Sequence, residues 1–287
     1  IATLDLSDLD YGSYNVESSL SSDYYQSAYA KGSFTVDFIK TNLNADNLVM
    51  YYHDNSRFYI TLKDKNNNPL ANQDITITLN GVPNKRTTDK DGSASIAINL
   101  NSGKYQVHVD YSGTDVYLNS SILRDITVKS TIISSDVVKY FRNDTQFYVT
   151  VLDFKGNKVA NTVVEMNING VFYKRTTYSE GVARLNINLS PATYIATAKN
   201  PVTGELCSSK VQVLSTIVAK NANSGGNISL EYKNGAYKLE LHEKNGTLAV
   251  NKTVTININD MIYNKTSGSD GIATLNINLL PGNYIES

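Results

Sequence analysis

Across residues 147–189 the apolar residues fall on every second position. Phe147, Val149 and Val151 alternate with polar neighbours, then Val164, Met166 and Ile168, then Ala183, Leu185, Ile187 and Leu189. A period of two belongs to β-strands, whose side chains point alternately to opposite faces. The scheme stands about 90 residues earlier in Phe58, Ile60, Leu62; Ile75, Ile77, Leu79; and Ala94, Ile96, Ile98, Leu100. It returns about 90 residues later in Tyr237, Leu239, Leu241; Val254, Ile256, Ile258; and Ala273, Leu275, Ile277, Leu279. The intervening positions are mostly Thr, Asn, Ser and Lys, so each strand has one apolar face and one wet face. No segment carries a 3.6-residue stripe.

Turn chemistry agrees with the strands. Asn80-Gly81, Asn169-Gly170 and Asn259-Asp260 each stand between two alternating runs. A type I′ hairpin needs φ > 0 at both central residues, which Asn and Gly tolerate best. Gly92, Gly181 and Gly271 recur at steps of 89 and 90. A Leu-x-x-x-x-Tyr unit occurs four times: Leu9 to Tyr14, Leu100 to Tyr105, Leu189 to Tyr194 and Leu279 to Tyr284. Its tyrosines lie 91, 89 and 90 residues apart. Such a period is the length of a small domain. About seven short strands per period, with turns every 8 to 12 residues, predict an immunoglobulin-like β-sandwich. The Leu-x-x-x-x-Tyr unit then reads as a tyrosine corner, its Tyr bonding back to the backbone just upstream. Gly12, Gly103 and Gly282, or Pro191 in the second unit, shape the bend before it.

The predicted class is therefore all-β, with tandem sandwich repeats of about 90 residues arranged as an elongated rod. The last strand of each unit ends near Phe34–Asp37, Ile126–Lys129 and Val211–Leu214, and the next unit begins at once. This gives residues 1–37 as the tail of one repeat (strands E to G), 38–129 and 130–214 as whole repeats, and 215–287 as a last, truncated one. The sequence opens at Ile1 without Met or leader and stops at Ser287 in mid-pattern, which reads as a piece of a longer protein.

Composition narrows the function by exclusion. The net charge is −1, and no long Lys/Arg run gives the footprint of a nucleic-acid binder. No stretch reaches the ~18 apolar residues of a membrane helix. The single cysteine, Cys207, excludes an intrachain disulfide and a four-cysteine zinc site, and it reads as a small strand residue. The histidines, His53, His108 and His242, fall at non-equivalent positions, so the sequence carries no triad or zinc spacing. Asp89, Asp91 and Gly92 form the D-x-D-G that opens calcium loops, yet no acid stands at the twelfth position, and a polar turn is expected instead. Asp64, Asp153 and Glu243 recur after the same strand and read as turn-capping residues. Accordingly no catalytic, cofactor or metal residue is assigned, and the chain is read as non-enzymatic.

Three surface features remain. Lys85-Arg86, Lys174-Arg175 and Lys265 recur on the outgoing arm of the Asn-Gly hairpin. They read first as charges protecting an edge strand, and alternatively as a stripe for an anionic wall polymer. Tyr24, Tyr25, Tyr51 and Tyr52 suit either sugar stacking or packing at a joint between repeats. Seven N-x-S/T sequons, at Asn119, Asn143, Asn188, Asn227, Asn245, Asn251 and Asn264, mark candidate glycosylation acceptors. Lysine–asparagine isopeptide bonds, used by some surface sandwiches, leave no mark in the sequence.

The runs Val149 to Asp153, Gly156 to Asn161, Asn169 to Thr177 and Gly181 to Ile195 resemble the Ig-like repeats of large adhesin-like surface proteins of methanogenic archaea, related to bacterial Ig-like repeats. The resemblance covers essentially the whole chain; Ala192 and Asp260 depart from it mildly. It implies export, extracellular display at the cell surface, and a role as a stalk or as an adhesive module. The partners it implies are neighbouring repeats and glycans or proteins of other cells. No adhesive residue carries over.

Overall fold

A computed structural model describes residues 3–6, 9–223 and 227–284. The chain ends at Ile1 and Ser287 lie outside the described residues. Among them every regular element is a strand, and no helix is long and apolar enough to cross a membrane. The chain divides into two compact units, Ile1–Ser130 and Thr131–Ser287.

The first unit opens with a hairpin, β1 (Gly12–Leu20) against β2 (Ala28–Val36), with Tyr14 opposite Phe34. A complete sandwich follows: β3 (Thr41–Asn44), β4 (Leu48–Tyr51), β5 (Arg57–Asp64), β6 (Asp74–Leu79), β7 (Val82–Thr87), β8 (Ser93–Ala97), β9 (Gly103–Tyr111) and β10 (Ser120–Lys129). One sheet runs β3-β5-β8 and the other β4-β10-β9-β6-β7, with β4 parallel to β10. This is the Ig-like order A-B-E facing A′-G-F-C-C′.

The second unit repeats it with β11 (Ile132–Ser134), β12 (Val137–Tyr140), β13 (Gln146–Val151), β14 (Val163–Ile168), β15 (Val171–Thr176), β16 (Val182–Asn186), β17 (Ala192–Lys199) and β18 (Leu206–Leu214). Its sheets are β11-β13-β16 and β12-β18-β17-β14-β15. A partial sandwich completes the unit: β19 (Ile217–Ala219), β20 (Gly235–Leu241), β21 (Thr253–Ile258), β22 (Met261–Thr266) and β23 (Ile272–Ile277). There β19-β20-β23 forms one sheet and β21-β22 the other.

The alternating residues build the cores. Phe147, Val149, Val151, Val164 and Ala183 are fully buried, and Met166 and Leu185 nearly so. Their counterparts Phe58, Ile60, Leu62, Ile75 and Ile77 do the same in the first sandwich. The hairpin turns have φ of +51° and +77° at Asn80-Gly81, +54° and +76° at Asn169-Gly170, and +51° and +65° at Asn259-Asp260, as type I′ requires.

One expectation changes. Each whole sandwich has eight strands, because the first strand is broken in two. Its first half pairs antiparallel with strand B and its second half parallel with strand G, so the chain crosses from sheet to sheet after Asn44 and Ser134. In the opening tail, where strands E to G are expected, the described residues 3–6 carry no strand and β1 and β2 form the hairpin.

The tyrosine corner is present four times. The hydroxyls of Tyr14, Tyr105, Tyr194 and Tyr284 donate to the carbonyls of Asp10, Asn101, Ser190 and Leu280, at 2.8, 2.8, 3.0 and 2.8 Å. Tyr194→Phe deletes one donor and leaves the half-buried ring in place. We expect it to cost about 1 kcal/mol, the net worth of one hydrogen bond. Urea titration checks this; no change in midpoint would reduce the corner to a ring-packing device.

Candidate functional site

The acidic residues that follow strand B are structural caps. Asp64 Oδ1 accepts from the amides of Asn66 and Asn68, both at 2.8 Å, and Oδ2 accepts from the Asn68 side chain at 2.9 Å. Asp153 does the same with Lys155 and Asn157. These donors, the Asn68 and Asn157 amides foremost, hold both carboxyls below the usual aspartate range. Glu243 departs from the expectation. It lies 3.5 Å from Lys252, and the turn is capped by Asn245, whose Oδ1 accepts from the Thr247 amide at 3.0 Å. One extra methylene keeps the glutamate from closing an Asx-type turn.

The D-x-D-G turn is likewise closed on itself. Asp89 Oδ1 accepts from the amides of Asp91 and Ser93, both at 2.9 Å. Among the described residues no three His, Cys, Asp or Glu side chains come together as a metal would need. The histidines stay apart: His53 stacks on Tyr52 at 3.9 Å, His108 sits 3.0 Å from Asp110, and His242 sits 3.0 Å from Glu240. Cys207 is half-buried in β18, its thiol 3.3 Å from the Ser134 hydroxyl. Burial pushes that thiol's pKa up, which lowers its reactivity.

Three polar groups are buried in the second sandwich without a local signal among their sequence neighbours. Lys139 is 4% exposed, and its ammonium donates to the main-chain carbonyls of Asn143, Thr145 and Ile187. Those partners are backbone oxygens, so this lysine is not aimed at an asparagine side-chain amide. Glu205, also 4% exposed, accepts from both the amide and the hydroxyl of Thr131 at 2.6 Å. Asn200, fully buried, donates to the carbonyls of Thr131 and Leu152 at 2.7 and 2.9 Å. Together Glu205 and Asn200 fasten the β17–β18 turn to the residue that opens the sandwich. An apolar-period search skips these positions, since the only signal is a polar residue on an otherwise inward register.

In the second unit the turn after β12 meets the turn after β20. The rings of Tyr140 and His242 lie 5.3 Å apart, and the Asn143 side chain donates to the Lys244 carbonyl at 2.7 Å. A Cβ on Gly246 would stand 2.5 Å from the Tyr140 ring. Lys244 also pairs with Asp144 at 3.2 Å, both well exposed, which contributes little. The link itself, Ser215-Thr216, is held on each side: Phe141 N donates to Leu214 O at 2.9 Å and His242 N to Thr216 O at 2.8 Å. The sequon asparagine Asn143 is therefore committed to this joint, and a glycan on its amide would displace the contact. Tyr140 is the counterpart of Tyr51, which is half-buried with Lys129 over its ring at 5.4 Å. Tyr24 and Tyr25, in the β1–β2 turn, are exposed.

The basic pairs stand on edge strands β7 and β15, and Lys265 on β22. None of Lys85, Arg86, Lys174, Arg175 and Lys265 makes an ion pair among the described residues. Just before them each hairpin exposes an apolar side chain: Val82, then Val171 and Phe172, then Met261 and Ile262. A groove of about 810 Å³ in the partial sandwich is lined by Tyr237, Ile258, Ile277, Leu279 and Tyr284 among others. Here, among the described residues, β21 pairs with β22 alone, whereas β6 and β14 also pair with β9 and β17. The groove's lining mixes core residues with exposed ones such as Leu280 and Tyr284.

No family model matches the chain, and no curated protein matches it. Solved structures with a similar course of strands include a Ca2+-stabilised adhesin with which an Antarctic bacterium reaches out and binds ice (14% identity, 96% of this chain and 80% of that one, TM-score 0.25). Others are the I9–I11 tandem of titin (15%, 72% and 74%, TM-score 0.29) and invasin, a bacterial integrin-binding protein (17%, 83% and 54%, TM-score 0.26). Likenesses this distant carry no functional argument; the fold rests on the strand pairing above.

Proposed function

We propose that this chain is a non-enzymatic spacer segment of an extracellular, adhesin-like surface protein, whose tandem sandwiches project binding modules away from the cell. The observation that carries the reading is the joint of the second unit. There two sandwiches are linked by two residues and locked by Tyr140, Asn143 and the turn at His242–Gly246. Length requires repeats at constant spacing, while a binding site requires one copy. The proposed division is 1–37, 38–129, 130–214 and 215–287, in a parent protein of the archaeal surface type that the motif runs resemble.

Small-angle scattering of the 287-residue chain tests this. A compact chain of this length would have a radius of gyration of about 19 Å. Three sandwiches of about 35 Å set end to end reach about 100 Å, and a rod of that length has a radius of gyration of roughly 30 Å. We expect the larger value, and a value near 19 Å would overturn the spacer reading. The alternative, an adhesive module binding glycans or a partner cell through loop and tyrosine patches, loses support at Tyr51, because its counterpart Tyr140 is absorbed into a joint.

A further inference from the structure

We infer that the outer face of the larger sheet in the second sandwich is a contact site for an acidic polysaccharide. Met166 and Ile168 of β14 and Ala196 and Ala198 of β17 point into the core. Glu165, Asn167, Thr197 and Lys199 therefore point outward. The strand register sets these groups in two neighbouring rows. One row is Phe172–Asn167–Thr197 and the next is Lys174–Glu165–Lys199. Residues directly opposite one another lie about 4.5–5.5 Å apart at Cβ, and rows two residues along a strand are about 7 Å apart. Lys210, opposite Ile195, flanks the aromatic row on its other side.

Phe172 is 68% exposed. A pyranose ring laid on it would meet the Asn167 amide and the Thr197 hydroxyl along the same row. Among the described residues the amide and the hydroxyl have no side-chain hydrogen-bond partner, so both are free to bind sugar hydroxyls. A carboxylate on that ring, or on the next sugar, would fall within reach of the Lys174 or Lys199 ammonium. Glu165 lies between those two lysines, and Asp136 holds the Lys210 backbone amide at 2.7 Å. None of Lys174, Lys199 and Lys210 is ion-paired among the described residues. With three ammoniums against two carboxylates the excess charge is small. Recognition must therefore combine the aromatic platform with the charges, which suits a sugar polymer better than a bare polyanion.

Comparison with the first sandwich separates this face from the needs of the fold. The same register positions there carry Pro83–Thr78–His108 and Lys85–Thr76–Asp110, with Asp125 in place of Lys210. Phe172 thus replaces a proline, and Lys199 and Lys210 replace two aspartates, while the sheet order is the same. In the partial sandwich Ile262 and Asn264 stand where Phe172 and Lys174 do. Edge protection alone would be met by Lys85 or Lys174. It does not require an exposed phenylalanine, nor a reversal of charge at two positions away from the edge.

The test is binding of the full chain to polygalacturonate, measured by isothermal titration, with dextran as the neutral polymer and polyphosphate as the polyanion without sugar rings. We expect binding to polygalacturonate and none to dextran. Phe172→Ala is expected to weaken it about tenfold, the loss typical of an aromatic anchor. Lys174→Ala combined with Lys199→Ala should weaken it at low salt and change little at 1 M NaCl, where charges are screened beyond ~3 Å. Pro83→Ala, on the first sandwich, should leave it unchanged, as should every variant's melting temperature. Absence of binding would overturn the proposal. So would binding indifferent to Phe172→Ala with polyphosphate held as tightly, which is ion exchange. Self-association lost in Phe172→Ala would assign the face to a second copy of the chain and overturn it equally.

Discussion

Gly181→Ala is expected to destabilise the second sandwich by about 3 kcal/mol, against about 1 kcal/mol for Gly170→Ala. The chemical change is identical and both glycines have positive φ, +70° and +76°. An alanine in the left-handed region carries roughly 1 kcal/mol of strain at either site. The difference lies in what surrounds the new methyl. At Gly170 nothing lies within 4 Å. At Gly181 a Cβ would stand 2.9 Å from the Val151 carbonyl oxygen and 3.0 Å from the Val159 amide nitrogen. Those two atoms are bonded to each other, and the Val151 amide donates to the Gly181 carbonyl at 2.8 Å. Making room therefore strains two buried backbone hydrogen bonds, each contributing about 1 kcal/mol. For a sandwich of this size the shift in melting temperature is about 4–8 °C per kcal/mol. Calorimetry should separate the two variants clearly, and equal shifts would show that the close approach carries no cost.

Lys139→Ala is the second large effect, expected at about 2–4 kcal/mol from the lost packing of a long buried side chain and the cavity it leaves. Lys139→Met is expected to fall within about 1 kcal/mol of the native chain. The first sandwich supplies the reason: Met50 occupies the same register position, opposite Val128 as Lys139 is opposite Val213. A buried methionine fits this place in the fold, and the ammonium must be held by carbonyls to be tolerated there. Burial pulls the Lys139 pKa below its ordinary 10.5, with Asp144 opposing weakly. Between the folded value and 10.5 the unfolded chain binds more protons. Native stability should therefore rise as pH increases through that window, and Lys139→Met should abolish this part of the slope. Urea titrations from pH 8 to 11 measure both. A methionine variant as damaged as the alanine one would mean that the carbonyl cage, rather than the filled volume, holds this corner.

Much of the molecule could be read from its residues. The alternation of Phe147, Val149 and Val151 placed strand B, and Asn169-Gly170 placed the hairpin with its two positive φ values. The spacing of Leu189 and Tyr194 placed the corner. Each of these is a local requirement. A face must be apolar to be buried, and a tight turn needs residues that tolerate the left-handed region, so sequence neighbours carry the whole signal. The caps at Asp64 and Asp153 were legible for the same reason, their partners lying two and four residues ahead.

The tertiary structure decided whatever depends on a partner far along the chain. The break between β11 and β12 arises because the two halves pair with strands from opposite sheets. Lys139, Glu205 and Asn200 look like ordinary polar residues until Ile187, Thr131 and Leu152 are brought against them. The row that sets Lys174, Glu165 and Lys199 side by side joins three strands that are separate in sequence. A period of two states which side of a strand is wet. Only the register across the sheet states which wet residues become neighbours, and the chemistry of this surface follows from that pairing.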